Sequence, residues 1–282
     1  MRSFSEIKKN TLVLGRGFLG KAFEIQRFRV LGKDEFSIDP QDPEACLASM
    51  PDSEIVVNCI AKSNTRWCET NLEEAVFANA TIPKLLSRHC QENGKQFVHI
   101  STGCLYDINT TPQQESDFLA AHCGYTVSKW IGEKFCDERD LILRPRLYFG
   151  DFKDRNNLIC KLRMFTKFLT EINSFTSVHT IVSACQVLLN AEVSGVFNVA
   201  CDGYATPKEL SEWMGLSGES IGIEDLNKET GISLVNSTMD LQKLKKYYQP
   251  PTLKDEFTRC VARINRLDFD NEPSKVDHQS SG

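Results

Sequence analysis

The sequence predicts an α/β protein with a doubly wound parallel sheet and a small mixed C-terminal lobe. Two observations lead to this prediction. Short, nearly continuous apolar runs alternate with amphipathic helical patterns over the first 150 residues, as in parallel sheets that are covered by helices on both faces. The first apolar run also leads directly into a glycine-rich loop and a helical pattern.

Five apolar runs in this part of the chain predict strands. They are short and rich in β-branched residues, as expected for central strands that are buried on both sides. The run at 27–32 is the weakest of them. The predicted strands cover residues 11–15, 27–32, 54–61, 96–102 and 141–150.

The segments between these strands predict helices. Residues 71–94 form one long amphipathic pattern that ends near Gly94, a common stop residue. Pro83 lies inside this pattern and predicts a kink or a break. A second helical pattern covers 124–139.

The second half of the chain is more mixed. Thr206 and Pro207 are typical of the first positions of a helix, and Gly215 is typical of its end. Predicted helices cover 157–169, 179–191, 206–215 and a final region from 238, with a strand at 195–200. We therefore predict a core at 1–150, a smaller interleaved lobe at 151–267 and a polar, disordered tail at 268–282.

Composition narrows the class of protein. The 282 residues are 41% hydrophobic and 25% charged, with a net charge of −5, which predicts no general attraction to nucleic acid or anionic membranes. No apolar run approaches a membrane span, and the N-terminus leads into a strand without a signal-peptide core. Eleven cysteines without a Cys-x-x-Cys pair predict reduced thiols, no metal site and a cytoplasmic location.

The glycine loop predicts a dinucleotide site of the Rossmann type. Gly15-x-Gly17-x-x-Gly20 lies between a predicted strand and a predicted helix, which is the context that this motif requires. Such loops bring backbone amides and a helix N-terminus to a diphosphate. The predicted cofactor-binding residues of the loop are Gly15, Arg16, Gly17, Phe18, Leu19 and Gly20.

Nearby charges bear on which nicotinamide cofactor binds. Asp34 and Glu35 lie where an acidic residue would hold a ribose 2′-hydroxyl. Arg16 and Lys33 can instead contact a 2′-phosphate. The basic residues favour NADPH, and NADH stays open.

Thr102, Tyr125 and Lys129 are the predicted residues for carbonyl reduction. Thr102 follows a predicted strand, and Tyr-x-x-x-Lys places Tyr125 and Lys129 on one helix face. We expect the ammonium to lower the pKa of the phenol, which would then act as a general acid, with Thr102 bonded to the same carbonyl oxygen. Lys129 is also a predicted cofactor-binding residue.

These motifs resemble the extended short-chain dehydrogenase/reductase family and, within it, the dTDP-4-dehydrorhamnose reductase group. The resemblance covers about residues 10–262 and is strongest from 54 to 150. It includes "LVLGRGFLG", "QFVHISTGCLYD", "GYTVSKWIGEK", "LILRPRLYFG" and "NSTMDLQKLKKY". It implies a Rossmann domain, a C-terminal substrate lobe, NAD(P)H and a nucleotide-bound 4-keto-6-deoxy sugar.

One position departs from the simple reductases of that group. They usually carry Asp-Tyr where this chain has Gly103 and Cys104. Thr-Gly-Cys instead resembles the bifunctional UDP-4-keto-6-deoxyglucose 3,5-epimerase/4-reductases of UDP-L-rhamnose synthesis. Lys161 of "NNLICK" resembles a lysine of the same enzymes more loosely. This resemblance implies that Cys104 and Lys161 transfer protons on opposite faces of the sugar, because thiols and amines can be tuned toward neutrality.

Three functions stay open at this point. The first is a bifunctional epimerase and reductase, and the second is a plain 4-keto reductase supplied by a separate epimerase. The third is a non-enzymatic NADP-binding subunit, as in the regulatory subunit of methionine adenosyltransferase, because fold alone does not determine function. The base of the nucleotide sugar, the final sugar and a homodimer also stay open.

Overall fold

The computed structural model describes residues 3–107 and 109–269. Its strands are β1 (Thr11–Leu14), β2 (Arg29–Leu31), β3 (Ile55–Asn58), β4 (Gln96–Ile100), β5 (Asn109–Gln113), β6 (Leu141–Pro145), β7 (Tyr148–Phe149), β8 (Lys167–Leu169), β9 (Thr176–Ser177), β10 (Gly195–Val199), β11 (Glu219–Ile221) and β12 (Ser237–Met239). Its α-helices are α1 (Phe4–Lys9), α2 (Phe18–Ile25), α3 (Pro43–Ala48), α4 (Thr65–Thr70), α5 (Leu72–Val76), α6 (Ile82–Glu92), α7 (Gly124–Lys134), α8 (Leu158–Leu162), α9 (Val178–Asn190), α10 (Pro207–Trp213), α11 (Ile223–Thr230), α12 (Gln242–Lys245) and α13 (Leu253–Phe269).

The main sheet has six parallel strands in the order β2-β1-β3-β4-β6-β10. The strand order reverses between β1 and β3, and ligands of open α/β sheets bind outside the carboxyl ends of the strands at such a point. The sheet confirms the predicted α/β fold.

Side chains from β1 pack on both faces of the sheet. Val13 belongs to a core cluster with side chains of α2 and α9. Leu12 and Leu14 belong to a second cluster, which includes residues of α3 and α6. Because alternate residues of a strand point to opposite faces, both layers of helices require apolar residues, which explains the continuous apolar run.

The predicted helix at 71–94 is interrupted. It consists of α5, a π-helical turn at Phe77–Thr81 and α6, which ends just before Gly94. Pro83 occupies the first turn of α6, where its missing N–H is tolerated. The predicted break is therefore present, and it lies at the π-helical turn that precedes Pro83.

Three other predicted elements were wrong in extent. The strand at 141–150 divides into β6 and β7, because Leu147 between them has a left-handed φ of 43°. The helix at 157–169 ends at Leu162, and β8 follows, paired with β11. The region from 238 begins with β12, paired with β5, before the short α12. In each pair the partner strand is distant in the chain.

A third core cluster lies in the C-terminal half. It packs Phe149, Ile159 and Phe168 against Leu210 of α10 and Phe257 of α13. The chain also returns to the main sheet, because β10 pairs with β6. Helix α13 continues through residue 269, so the predicted tail begins too early, and the rest of it, 270–282, lies outside the described residues. Among the described residues, no helix has the length and apolar character that a membrane span needs.

Candidate active site

The glycine loop has the geometry of a diphosphate cradle. Gly15 has a φ of 101°, and a side chain there would come within 2.8 Å of the Cys59 backbone. A side chain at Gly20 would come within 1.9 Å of the Gly15 carbonyl oxygen, so α2 packs on the loop only with glycine there. Space around Gly17 is open, and Gly17 precedes the first turn of α2. These residues fit a dinucleotide through backbone amides.

The two apolar residues of the loop have a different part. Phe18 and Leu19 are buried in the core cluster shared by α2 and α9. The Phe18 ring lies 5.1 Å from the ring of Phe152, centroid to centroid. Only the backbone of these two predicted cofactor-binding residues is therefore available at the helix N-terminus.

The carboxylates of Glu24 and Glu35 both contact the Arg16 guanidinium. The guanidinium donates to Glu35, contacts Glu24 at 3.1 Å and donates to the Val30 carbonyl oxygen at 2.7 Å. Glu35 also accepts from the backbone N–H of Gly32, and this bond and Arg16 together lower the pKa of Glu35. Lys33, the other predicted 2′-phosphate contact, is exposed in the same turn. The positive charge of Arg16 is thus partly offset.

Thr102 and Tyr125 meet at the carboxyl end of β4. The Thr102 hydroxyl accepts from the backbone N–H of Cys104 at 3.2 Å and lies close enough to the phenol of Tyr125 to affect its pKa. Burial, followed by the nearby Cys104 sulfur, raises the pKa of Tyr125, and the polar Thr102 hydroxyl opposes this effect. The predicted lowering of the pKa was therefore wrong, since desolvation outweighs the polar contacts.

Lys129 lies beneath this pair, with 1% of its surface exposed. Its Nζ donates to the Ile100 carbonyl oxygen at 2.6 Å and lies 3.4 Å from Nε2 of His99. Burial lowers the pKa of Lys129 to about 8 and lowers that of His99 well below its ordinary value. The polar contacts of Lys129 thus lie on β4. This explains why the ammonium does not offset the effect of desolvation on the pKa of Tyr125.

Helix α7, which carries Tyr125 and Lys129, is held by close backbone contacts. A side chain at Gly132 would come within 2.0 Å of the Asn79 carbonyl oxygen in the π-helical turn. The buried Asn79 amide donates to Ser128 Oγ on α7 and to the Lys62 carbonyl oxygen, both at 2.9 Å. The interrupted helix therefore sets the position of α7.

Cys104 lies beside this hydroxyl pair. It is half-buried, in the single 3₁₀ turn that follows Thr102. Its Sγ accepts a hydrogen bond from Arg146 Nη1 at 3.1 Å. Tyr148 is a second phenol near Tyr125 and Cys104. Burial is the main cause that raises the pKa of Tyr148 well above its ordinary value, and these two neighbours add to the effect.

Sequence reasoning missed both Arg146 and Tyr148. Both follow β6, which lies next to β4, and a polar residue at such a strand end was the available signal.

Lys161, the other predicted proton-transfer residue, lies on α8. It is exposed as a residue, although neighbouring atoms partly desolvate its ammonium and lower its pKa, an effect that Asp154 opposes. Within residues 3–107 and 109–269, no hydrogen bond or ion pair joins the Lys161 side chain to Cys104 or Tyr125. Its predicted role stays a prediction. In the same described residues, no cluster of acidic, histidine or cysteine side chains has the geometry of a metal site.

The chain is similar in sequence to known proteins. A probable low-salt glycan biosynthesis reductase of Haloferax volcanii is 29% identical over 57% of this chain and 58% of its own length. A trifunctional UDP-glucose 4,6-dehydratase/UDP-4-keto-6-deoxy-D-glucose 3,5-epimerase/UDP-4-keto-L-rhamnose-reductase of Arabidopsis thaliana is 22% identical over 73% of this chain and 33% of its own length. The chain thus spans between one third and three fifths of these relatives.

A solved structure with the same fold is dTDP-4-dehydrorhamnose reductase of Bacillus anthracis in complex with NADP. It superposes with a TM-score of 0.75 at 17% identity, over 89% of this chain and 98% of that protein. The model of the family described as RmlD substrate binding domain matches residues 11–211. This match covers more than half of the chain and confirms the resemblance seen in the motifs, so the protein belongs to the RmlD substrate binding domain family.

Proposed function

We propose that this protein is an NADPH-dependent reductase of the C4 keto group of a nucleotide-linked 4-keto-6-deoxy hexose. The observation that carries the proposal is the closeness of the Thr102 hydroxyl, at the end of β4, to the phenol of Tyr125. In the sheet, β4 lies next to β3, and β3 lies next to β1, the strand that leads into the glycine loop. The names of the relatives, a probable glycan biosynthesis reductase and an enzyme with UDP-4-keto-L-rhamnose-reductase activity, support the same substrate class.

Each side chain then has a definite part. Bound NADPH supplies the hydride to C4. Tyr125 donates its proton to the C4 oxygen, and its raised pKa keeps the phenol protonated, as a general acid must be. Thr102 holds the same oxygen by a hydrogen bond. Lys129 donates a hydrogen bond to the Ile100 carbonyl oxygen and supports the buried side of the site, next to the cofactor.

The choice of NADPH rests on Arg16 and Lys33. A guanidinium can bind a 2′-phosphate through two parallel hydrogen bonds. Glu35 competes for Arg16 in the structure and could instead accept from a ribose 2′-hydroxyl, which keeps NADH as the alternative. The Bacillus anthracis structure, which holds NADP, favours NADPH.

A 3,5-epimerase activity at the same site is a second proposal, favoured by the position of the Cys104 sulfur beside Tyr125. The C4 keto group acidifies the C–H bonds at C3 and C5. The Cys104 thiolate removes a proton from one face, and the electron pair moves into an enolate whose oxygen Tyr125 and Thr102 hold. The Lys161 ammonium returns a proton to the other face, which inverts the carbon. The plant relative is named for both activities.

One assay tests both proposals. The protein is incubated with UDP- or dTDP-4-keto-6-deoxyglucose and NADPH, NADPH oxidation is followed, and the product is identified by NMR. Oxidation with a 6-deoxy-L-sugar product supports both activities. Oxidation of only a pre-epimerised substrate supports the plain reductase. NADPH binding with no turnover of any such sugar supports the non-enzymatic subunit.

A further inference from the structure

Two buried arginines lie two residues apart at the carboxyl end of β6, and among residues 3–107 and 109–269 only one of them has a carboxylate partner. Arg144, with 3% of its surface exposed, forms a salt bridge with the buried Glu133 through Nε and Nη2. Arg146 is 2% exposed. A buried guanidinium remains charged and is costly unless an anion or several hydrogen bonds compensate it. The charges of both buried guanidinium groups therefore need compensation, and the two arginines obtain it from different partners.

The hydrogen-bond partners of Arg146 are neutral groups and one sulfur. Nε and Nη2 donate to Asn173 Oδ1 at 3.1 and 2.7 Å, and Nη2 also donates to the Val235 carbonyl oxygen. These bonds fix the plane of the guanidinium. Nη1 donates to Cys104 Sγ at 3.1 Å. Within the described part of the chain, no carboxylate forms an ion pair with this arginine, so the sulfur is its one partner that can carry a negative charge.

We propose that Arg146 is a positioning residue that holds Cys104 as a thiolate, the form in which the sulfur can take a proton from the sugar. This inference rests on the proposed epimerase activity, which is the reaction that would use the thiolate. Its test does not require that activity. A guanidinium within hydrogen-bond distance stabilises negative charge on sulfur, and thiolate is the basic and nucleophilic form of cysteine. The same contact orients the sulfur beside the Thr102 and Tyr125 hydroxyls.

The other titratable groups near this sulfur do not supply the charge. Tyr125 and Tyr148 face Cys104, and burial raises the pKa of both phenols, so both are neutral near neutral pH. Met239 and Gly103 pack beside Arg146 and are uncharged. Among the residues that the structure describes, Arg146 is thus the charged side chain that is hydrogen bonded to Cys104.

The test is the rate at which iodoacetamide alkylates Cys104 at neutral pH, because alkylation follows the thiolate fraction. It needs no sugar nucleotide, and peptide mass spectrometry reads each cysteine separately. We expect Arg146→Met to slow alkylation of Cys104 by about 10-fold or more. Arg146→Lys, which keeps a cation, should restore part of the rate. Cys46 is the internal reference, because its sulfur is also half-buried and accepts a hydrogen bond from a neutral donor, the backbone N–H of Asp39.

The outcomes separate this inference from the proposed function. A slower reaction at Cys104 with an unchanged rate at Cys46 supports the inference, even if the wild-type protein exchanges no substrate hydrogen in D₂O and the epimerase proposal fails. Equal rates at Cys104 in the wild type and in Arg146→Met would overturn it. So would a faster reaction at both cysteines with no rescue by Arg146→Lys, since that result means that Arg146 only supports the fold.

Discussion

Lys129 donates a hydrogen bond from Nζ to the carbonyl oxygen of Ile100, 2.6 Å away. Ile100 is the last residue of β4, and Thr102 follows two positions later. The bond joins the middle of α7 to the strand that leads to Thr102, so it fixes the relative position of the two hydroxyls. We therefore assign the lysine a structural contact within the site, in addition to its proposed place beside the cofactor.

Replacing Tyr125 with Phe removes the proposed proton donor and leaves the ring. We expect turnover of a 4-keto sugar nucleotide to fall by about 10²-fold or more, because a positioned general acid typically contributes that much. Steady-state NADPH oxidation is the measurement. Tyr247→Phe is the matched control, since it makes the same chemical change at an exposed phenol. Turnover close to wild type in Tyr125→Phe would remove this residue from the mechanism.

The buried ammonium of Lys129 predicts a pH-dependent stability. Its pKa is about 8 in the folded protein, against an ordinary value of 10.5. Below about pH 8 both folded and unfolded chains hold the proton, and the folded state bears the full cost of burial. As the pH rises from about 8 to about 10.5, the folded state releases the proton first, so the stability of the wild type rises relative to a variant without this lysine.

The comparison is between the wild type and Lys129→Met, by urea unfolding at several pH values. The difference in free energy of unfolding should change in favour of the wild type by up to about 3 kcal/mol across that range. The lost bond to Ile100 adds a constant offset, and groups common to both proteins cancel. Parallel stability curves for the two proteins would contradict the prediction.

Cofactor preference should depend on Arg16. We expect Arg16→Ala to lower kcat/KM for NADPH by about 10-fold and to change that for NADH little, because only NADPH carries the 2′-phosphate. Arg88→Ala is the matched control, since Arg88 also pairs with a glutamate but lies on α6. The same loss with both cofactors would show that Arg16 supports the loop and does not contact the 2′-phosphate.

The parts of the fold that could be predicted depend on short stretches of sequence. The glycine loop is one, because Gly15 and Gly20 are required by contacts between consecutive elements. The central strands are another, because burial on both faces leaves a continuous apolar run. By contrast, β8 and β5 form strands only because β11 and β12 pair with them. Such distant pairing leaves little trace in either segment.

The residues of the site likewise include some that short stretches of sequence could predict and others that they could not. Thr102, Tyr125 and Cys104 could be selected because motif spacing and strand ends bring them together. Arg146 could not, because its role depends on Asn173 and on the carbonyl of residue 235, both far along the chain. The raised pKa of Tyr125 also escaped prediction, since desolvation depends on the whole packed site.

The last prediction concerns hydrogen exchange at the sugar. If Cys104 and Lys161 form the epimerase pair, the wild-type protein in D₂O, without reduced cofactor, should exchange the hydrogens at C3 and C5 of the 4-keto sugar for deuterium. Cys104→Ala should abolish exchange at one or both carbons, and Lys161→Ala should reduce it at one carbon or at both. NMR of the recovered sugar measures both positions.

Reduction of a pre-epimerised 4-keto sugar distinguishes a lost proton-transfer group from a damaged fold. A misfolded variant loses exchange and reduction together, whereas loss of Cys104 should depress exchange far more than reduction, which depends on Thr102 and Tyr125. Cys160→Ala serves as the matched control, because this half-buried cysteine lies next to Lys161 on α8. Wild-type protein that reduces the pre-epimerised sugar but exchanges neither hydrogen would leave a plain reductase, because the proton-transfer step would then be missing while hydride transfer is intact.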